Sequence, residues 1–140
     1  MARAEPFVFP FTVRYLEVDQ QGVVFNMWYL AYLDEAWTAF LEAGGLPYGD
    51  LLGVGYDVQL VHSELDWHGP LGFGVPAEVR AGLRSVGRTS ITMQFEVWCE
   101  QRRVASASTV YVVVPVGGRG STPVPDRLRR ALGDPAPLWP

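Results

Sequence analysis

The chain has 140 residues, 49% of them hydrophobic and 19% charged, so it is long and apolar enough to bury the core of one globular domain. Its 11 basic and 15 acidic residues give a net charge of −4 and form no basic stripe, which excludes the usual electrostatic basis for binding nucleic acid. The single cysteine, Cys99, excludes an internal disulfide and indicates a reducing compartment. Without a signal peptide or a membrane-spanning apolar run, we expect a cytoplasmic protein that does not bind membranes.

The beginning of the chain has a strand pattern followed by a helix pattern. Apolar residues alternate over residues 7–18, which predicts a β-strand. Over residues 27–43 the apolar spacing is that of a helix, and the pair Gly44 and Gly45 is a typical stop signal. Asn26 stands one residue before this helix, at the position where a side chain that caps the N-terminus belongs.

The predicted helix is apolar around most of its circumference. Its polar residues are nearly confined to positions spaced four apart, namely Asp34, Thr38 and Glu42, with Glu35 beside them. A helix that is apolar on most sides is buried on most sides. In a chain this short, we expect a curved sheet to provide the cover.

Alternating patterns predict that strands fill most of the chain after the helix. A strand is predicted over residues 55–67, and the change of apolar parity near Leu60 and Val61 predicts a β-bulge. Glycine and proline mark residues 68–76 as a loop. Three further strands are predicted over residues 77–87, 91–97 and 104–115. Their alternation indicates antiparallel pairing with one covered face.

The tail from residue 117 to 140 is rich in glycine and proline, and it predicts at most two helical turns around residues 126–132. A strand, a long buried helix and a succession of antiparallel strands form an α+β architecture. We therefore expect one domain over residues 1–140, with its core over about residues 7–115.

The turn between the first strand and the helix carries the clearest chemical signal. Residues 19–26 read Asp-Gln-Gln-Gly-Val-Val-Phe-Asn, which places the carboxylate of Asp19, then Gly22 and Asn26, where the helix begins. A helix N-terminus has unbonded N–H groups and a partial positive charge, so it can polarise a carbonyl group. A carboxylate beside it can attack an ester-like bond or activate water toward it.

The run over residues 13–36, VRYLEVDQQGVVFNMWYLAYLDEA, resembles the signature of hotdog-fold acyl-CoA thioesterases. The most similar group includes 4-hydroxybenzoyl-CoA thioesterase and the thioesterase associated with the Tol-Pal system. Their pattern is an aspartate, two variable residues, Gly-Val/Ile-Val, an aromatic residue, a variable residue and an Asn-Tyr-like pair that opens the central helix. The order of the later elements agrees as well, over about residues 7–115.

The resemblance implies a hotdog fold, in which a curved antiparallel sheet surrounds one long helix. It also implies hydrolysis of an acyl or aroyl thioester to a carboxylate and free CoA, with no metal ion and no cofactor. Asp19 matches the family's catalytic carboxylate, which acts as a nucleophile or as a general base. Asn26 lies where a backbone N–H polarises the thioester carbonyl, and Gly22 occupies the tight turn between them. The Tol-Pal-associated enzymes have a histidine at the position of Asn26, so any acid–base help from that side chain is missing here.

The resemblance further implies a set of substrate-binding residues, namely Gly22, Val23, Trp28, Tyr29 and Arg88. Trp28 and Tyr29 would border the acyl group, although a core role explains these aromatic residues as well. Arg88 would meet the phosphates of CoA, whereas a solvated strand end explains it equally well. Hotdog domains join their sheets edge to edge, so we expect a homo-oligomer, a dimer or a tetramer. Its active sites would combine Asp19 of one subunit with strand residues of another.

Alternatives remain open for the site and for the function. Asp34 and Glu35 are second-choice carboxylates, because another hotdog group places its catalytic acid on the central helix. A hotdog dehydratase would need a histidine working with an acid, and neither His62 nor His68 lies in such a motif. A non-catalytic module that binds acyl or aromatic ligands is the stronger rival. Acyl chain identity and the choice between CoA and carrier-protein thioesters stay undetermined at this point.

Overall fold

The structure, a computed structural model, describes residues 5–140. Its strands are β1 (Phe7–Thr12), β2 (Tyr56–Trp67), β3 (Pro76–Val86), β4 (Ser90–Cys99) and β5 (Arg102–Pro115). Its helices are α1 (Trp28–Ala43), α2 (Tyr48–Gly53) and α3 (Asp126–Leu132), and a single 3-10 turn covers Tyr15–Glu17. The strands form one sheet in the order β1-β3-β4-β5-β2, with all neighbours antiparallel.

Helix α1 packs against one face of this sheet. The buried residues of α1 are Tyr29, Tyr32, Leu33, Ala36, Trp37, Phe40 and Leu41. They share one core with inward-facing residues of the central strands, among them Val79, Leu83, Met93, Phe95 and Val97. Trp37 stacks on Tyr111 of β5, with 4.3 Å between ring centroids, and Phe7 of β1 meets Phe40 edge to face. The expected α+β hotdog fold is therefore confirmed.

The chain between β1 and α1 differs from the prediction. The strand expected over residues 7–18 ends at Thr12, because Glu17 folds the next residues into the 3-10 turn. The Glu17 carboxylate accepts the Arg14 N–H at 2.8 Å, and the Glu17 N–H donates to the Arg14 carbonyl at 3.0 Å. Local hydrogen bonds of this kind compete with a strand.

The start of α1 also differs from the prediction. The helix begins at Trp28, and the residue at the N-cap position is Met27, with backbone angles of −69° and −24° and no side-chain cap. Asn26 was expected to cap the helix, and that expectation was wrong. Instead, the Trp28 N–H donates to the Phe25 carbonyl at 3.0 Å, so a main-chain turn over residues 25–28 leads into the helix.

The later elements follow the sequence patterns closely. The predicted bulge is confirmed, because the pairing of β2 with β5 shifts between Leu60 and His62. Helix α2 has six residues and was not predicted, since it buries only Leu51 and is too short for a periodic pattern. The core extends beyond its expected limit at residue 115, because Val124, Leu128 and Leu132 are buried with the rest.

Gly44, at the end of α1, lies directly against α3. A Cβ atom at this position would overlap the carbonyl oxygen of Ala131, whereas a Cβ atom at Gly53 in α2 would meet nothing within 4 Å. We expect Gly44→Ala to lower the free energy of unfolding by about 1–3 kcal/mol, the usual cost of overpacking. Gly53→Ala is the matched control, and urea denaturation of the two variants should separate them. Equal stability of both would contradict the close contact with α3.

Candidate active site

Residues 18–24 form a short hairpin that holds Asp19. Val18 bridges Val24, and the Asp19 N–H donates to the Val23 carbonyl at 2.9 Å. The Gly22 N–H donates back to the Asp19 carbonyl at 3.0 Å, and Gly22 has a φ of +77°. Only glycine adopts this angle without strain, so Gly22 makes the bend as expected.

The Asp19 side chain is exposed and partly held by its own turn. Its Oδ1 atom accepts the Gln21 N–H at 2.8 Å, an arrangement typical of aspartate in turns. Within the described part of the chain, no donor reaches Oδ2. One oxygen of the carboxylate is therefore held by the turn, and the other is available to a ligand or a water molecule.

The loop between β2 and β3 supports the hairpin through main-chain hydrogen bonds. The Val24 N–H donates to the carbonyl of the fully buried Leu71 at 2.8 Å, and Val23 bridges Gly72. The Gly74 N–H donates to the Val13 carbonyl at 3.1 Å, just before the 3-10 turn. Because these bonds involve main-chain atoms, exposed side chains of the loop can change without removing them, whereas the buried Leu71 side chain anchors the loop in the core.

The start of α1 presents free donors beside the hairpin. The N–H groups of Asn26 and Met27 donate to no acceptor among residues 5–140, and both residues are exposed. The Asn26 side chain likewise makes no hydrogen bond within the described chain. These two N–H groups lie just before Trp28, beside the partly positive N-terminal end of α1, so together they can hold an oxygen with developing negative charge.

A groove lies between this helix start and the edge strand β2. It has a volume of about 360 Å³ and is lined by Asn26, Met27, Leu30, Ser63, Leu65 and Trp67. A second cavity, of about 260 Å³, lies farther along α1 and β2 and is lined in part by Asp34, Thr38, Asp57, Leu60 and Tyr111. Leu30 lines the first space, and Asp34 and Thr38 line the second. Because these residues are spaced four apart, both spaces lie on one face of α1.

Of the aromatic residues near the helix start, Trp67 lines the groove, whereas the predicted pocket residues Trp28 and Tyr29 are not among its lining. Tyr29 is buried behind Trp67 and meets it edge to face, with 6.2 Å between ring centroids. Burial raises the pKa of Tyr29, and the positive charge of Arg102 only partly offsets this effect, so the hydroxyl stays protonated at neutral pH. Trp28 is half-buried, and the Arg14 guanidinium lies over its ring at 5.9 Å. The groove next to the hairpin is therefore apolar and suits an acyl or aromatic group.

Asp34 lies away from the hairpin, about 12 Å along α1 from Asn26 at the rise of an α-helix. Its Oδ1 atom accepts a hydrogen bond from the Tyr111 hydroxyl at 3.3 Å. Partial burial raises the pKa of Asp34, and the bond from Tyr111 offsets only part of that rise. Glu35, the other second-choice carboxylate, is exposed on the neighbouring face of α1.

The structure does not bring Arg88 to the hairpin within one chain. Arg88 follows β3, whereas the loop that supports the hairpin precedes it, and an 11-residue strand separates the two by roughly 30 Å. The arginine at the hairpin end is Arg102, whose Nη1 atom donates to the Pro70 carbonyl at 3.2 Å. Substrate contact by Arg88 would therefore need a second copy of the chain.

The remaining candidate residues, Cys99, His62 and His68, lie in the core or at the surface. Cys99 is buried in the core. His62 contacts Glu64 at 3.2 Å and His68 contacts Ser106 at 2.9 Å, both at the surface. Across residues 5–140, no three His, Cys, Asp or Glu side chains are close enough to hold a metal ion. No described helix has the length and apolar character needed to cross a bilayer.

Sequence reasoning missed one residue near the hairpin, the buried glutamate Glu17. It is 3% exposed, and its carboxylate accepts hydrogen bonds from Tyr32 and from Arg14. Burial alone would raise the pKa of Glu17, but these hydrogen bonds and the Arg14 charge together lower it below its usual value. Arg14 and Glu17 have the spacing of a helix-capping pair, which is the signal that could have identified them.

Comparison with known proteins identifies the family. Residues 13–132 match the model of the thioesterase-like superfamily. A protein of Aquifex aeolicus is 31% identical over 118 residues, which are 84% of this chain and 92% of the relative. The 1,4-dihydroxy-2-naphthoyl-CoA hydrolase of Synechococcus elongatus is 26% identical over 125 residues, 88% of this chain and 92% of the relative.

Solved structures give the same result for the fold. The crystal structure of a 1,4-dihydroxy-2-naphthoyl-CoA thioesterase from Synechocystis superposes with a TM-score of 0.83 at 22% identity, covering 91% of this chain and 95% of that one. The family match extends from the residues before the hairpin to the end of α3, and so includes Asp19, Asn26 and the groove. The chain therefore belongs to the thioesterase-like superfamily and is a thioester hydrolase with the hotdog fold.

Proposed function

We propose that this chain is an acyl-CoA thioesterase in which Asp19 reacts and the start of α1 stabilises the carbonyl oxygen. One observation carries the proposal. The hairpin that holds the exposed Asp19 carboxylate leads directly into the free N–H groups of Asn26 and Met27, beside an apolar groove. A nucleophile or base, a set of oxyanion donors and a site for the acyl group are the parts that thioester hydrolysis requires.

In the proposed reaction, the thioester carbonyl oxygen accepts the N–H of Asn26. Asp19 either attacks the carbonyl carbon, giving a mixed anhydride that water then cleaves, or removes a proton from the attacking water. On both routes the carbon–sulfur bond breaks, the CoA sulfur takes up a proton, and water supplies the second carboxylate oxygen. Each preorganised donor to the oxyanion is typically worth about 3–4 kcal/mol.

The groove supports an aromatic or a medium-length acyl group as substrate. Trp67, packed against the buried Tyr29, lines the groove together with Asn26, and Leu30 and Leu65 add apolar lining. The relative from Synechococcus elongatus is named for a hydroxylated aromatic acyl-CoA. We therefore propose aroyl-CoA thioesters as the first substrates to test.

We also propose that the chain works as a homo-oligomer. Strand β2 is at the edge of the sheet, where 12 residues have one unpaired side. Its exposed apolar side chains include Leu60 (41% exposed), Val61 (55%) and Trp67 (51%), and the groove opens along the same strand. Pairing of β2 with a second copy would cover this edge and place strand residues of one subunit near Asp19 of the other.

A panel of acyl-CoA thioesters tests the proposal. Release of free CoA, measured with a thiol reagent, should be faster with benzoyl-type and naphthoyl-type thioesters than with acetyl-CoA. Tight binding of the same compounds without thiol release would contradict the enzyme and support a ligand-binding module. Parallel assays with carrier-protein thioesters would determine which thiol carries the substrate.

A further inference from the structure

The buried carboxylate of Glu17 lies two residues before Asp19 and contacts three parts of the site. Its Oε1 atom accepts the Arg14 N–H at 2.8 Å and the Tyr32 hydroxyl at 2.9 Å. Its Oε2 atom accepts the Arg14 guanidinium, with two contacts of 2.8 Å. The side chain therefore ties the segment before the hairpin to the interior of α1.

The main chain of Glu17 contacts the other end of the hairpin. Its carbonyl oxygen accepts the Phe25 N–H at 2.9 Å, and Phe25 immediately precedes Asn26. A single residue thus bonds to the entry of the hairpin, to its exit and to the helix. The relative position of Asp19 and the Asn26 N–H depends on all three.

Tyr32 is the tightly packed member of this network. It is 4% exposed, its ring lies 4.3 Å from that of Phe11, and it meets Tyr29 edge to face at 6.1 Å. Because the ring is packed on several sides, its hydroxyl has little freedom. The hydrogen bond to Glu17 therefore sets the distance between the hairpin and α1.

The chemistry of a buried carboxylate indicates that Glu17 fixes the geometry of the site rather than increasing the stability of the fold. Removing a charge from water is costly, and apolar replacements of buried ion pairs are often as stable as the pair itself. A fully bonded polar network instead selects one arrangement of its parts. In catalysis such selection matters, because a misplacement of about 1 Å can lower a rate by about a hundredfold.

We propose that Glu17 is a positioning residue, which holds the Asp19 hairpin and the start of α1 in the arrangement that thioester hydrolysis needs. This inference rests on the proposed function. Glu17 itself does not touch the substrate. It acts through Arg14, Tyr32 and the Phe25 N–H.

Two variants test the role of this network. Glu17→Gln keeps the shape of the side chain and removes its charge, and Tyr32→Phe removes only the hydroxyl donor. We expect each to lower kcat for the best acyl-CoA substrate at least tenfold and to change KM less than twofold. Glu17→Gln turns an amide NH2 group toward the Arg14 guanidinium while its oxygen can still accept the Tyr32 hydroxyl, and Tyr32→Phe removes that hydroxyl. Because the two variants disturb different contacts of one network, the double variant should lose less than the product of the two single losses. If Glu17→Gln does not fold, Tyr32→Phe alone carries the test.

Gln94 offers the matched control for a buried polar side chain. It is 2% exposed, and it hydrogen-bonds to the main chain of Leu138 and Trp139, in the C-terminal segment. Gln94→Leu should lower the thermal midpoint and leave kcat unchanged. A loss of kcat in Gln94→Leu equal to that in Glu17→Gln would mean that any destabilisation lowers activity, and would overturn the inference.

A second readout does not depend on activity. Amide hydrogen exchange at Asp19 and Phe25 should speed up at least tenfold in Glu17→Gln, while the amides of β4 stay protected. If Glu17→Gln keeps wild-type kcat and Asp19→Asn is inactive, the positioning role is wrong and the proposed function stands. If the wild-type protein hydrolyses no thioester, the proposed function fails. Hydrogen exchange is then the only test of the positioning role, and unchanged protection of both amides in Glu17→Gln overturns it.

Discussion

Asp19→Asn is expected to lower kcat for acyl-CoA hydrolysis by about a thousandfold or more, within the range seen when a catalytic base or nucleophile is removed. The fold should be unaffected. An asparagine oxygen can still accept the Gln21 N–H that now bonds to the Asp19 Oδ1 atom at 2.8 Å, so the turn keeps its geometry. Only the charge and the reactive oxygen are lost. Steady-state thiol release, with circular dichroism as a check on folding, measures both effects.

The control for this variant is Asp126→Asn, which changes an exposed aspartate at the start of α3. Its turnover should equal that of the wild-type protein. Wild-type turnover in Asp19→Asn would contradict the assignment of Asp19 as the reacting group. Asp34→Asn would then be the next variant to measure, because Asp34 is the carboxylate of α1 that borders the second cavity, on the same helix face as the groove.

Asn26→Pro tests the oxyanion donor directly, because it deletes one N–H group. Asn26 is the second residue of the turn over residues 25–28, a position where proline is favoured. Its N–H donates to no acceptor in the described chain, so the fold loses no hydrogen bond. We expect kcat to fall about a hundredfold to a thousandfold, as for other oxyanion donors.

Asn26→Ala separates the backbone of this residue from its side chain. This variant keeps the N–H and should lose less than tenfold in kcat. The pair of variants is compared by kcat with one aroyl-CoA substrate and by the thermal midpoint. A loss in Asn26→Ala as large as that in Asn26→Pro would assign the role to the amide side chain. Unchanged kcat in Asn26→Pro would remove the oxyanion role from this N–H.

Periodic patterns predicted the sheet and the central helix well, because each long element repeats its signal many times. The bulge in β2 was predictable because the alternation of apolar residues changes parity near Leu60. The segment before Asp19 was not, since the alternation of residues 7–18 continues past Thr12, where the chain leaves the sheet. There, the hydrogen bonds of Glu17 outweigh the strand pattern.

The candidate site was predictable where it is local in sequence. The hairpin with Asp19 and Gly22 lies within eight residues of Asn26, and the family signature covers all of it. Long-range contacts gave no local signal, and these include the support from Leu71 and the hydrogen bond between Glu17 and Tyr32. The substrate contact predicted for Arg88 stays a prediction, because the distance of Arg88 from Asp19 depends on the topology of the sheet and on pairing with a second copy of the chain.

The main-chain support of the hairpin has a consequence for the evolution of specificity. The loop between β2 and β3 holds the hairpin through the carbonyl of Leu71 and the N–H of Gly74. The side chain of Phe73 in this loop is 56% exposed and meets the ring of Tyr15 edge to face. Mutation at Phe73 can therefore change the surface beside Tyr15 without removing the main-chain bonds that hold the hairpin. Substitutions in such a loop, in evolution or in a directed-evolution library, can change the preferred acyl group while Asp19 and the start of α1 keep their relative positions.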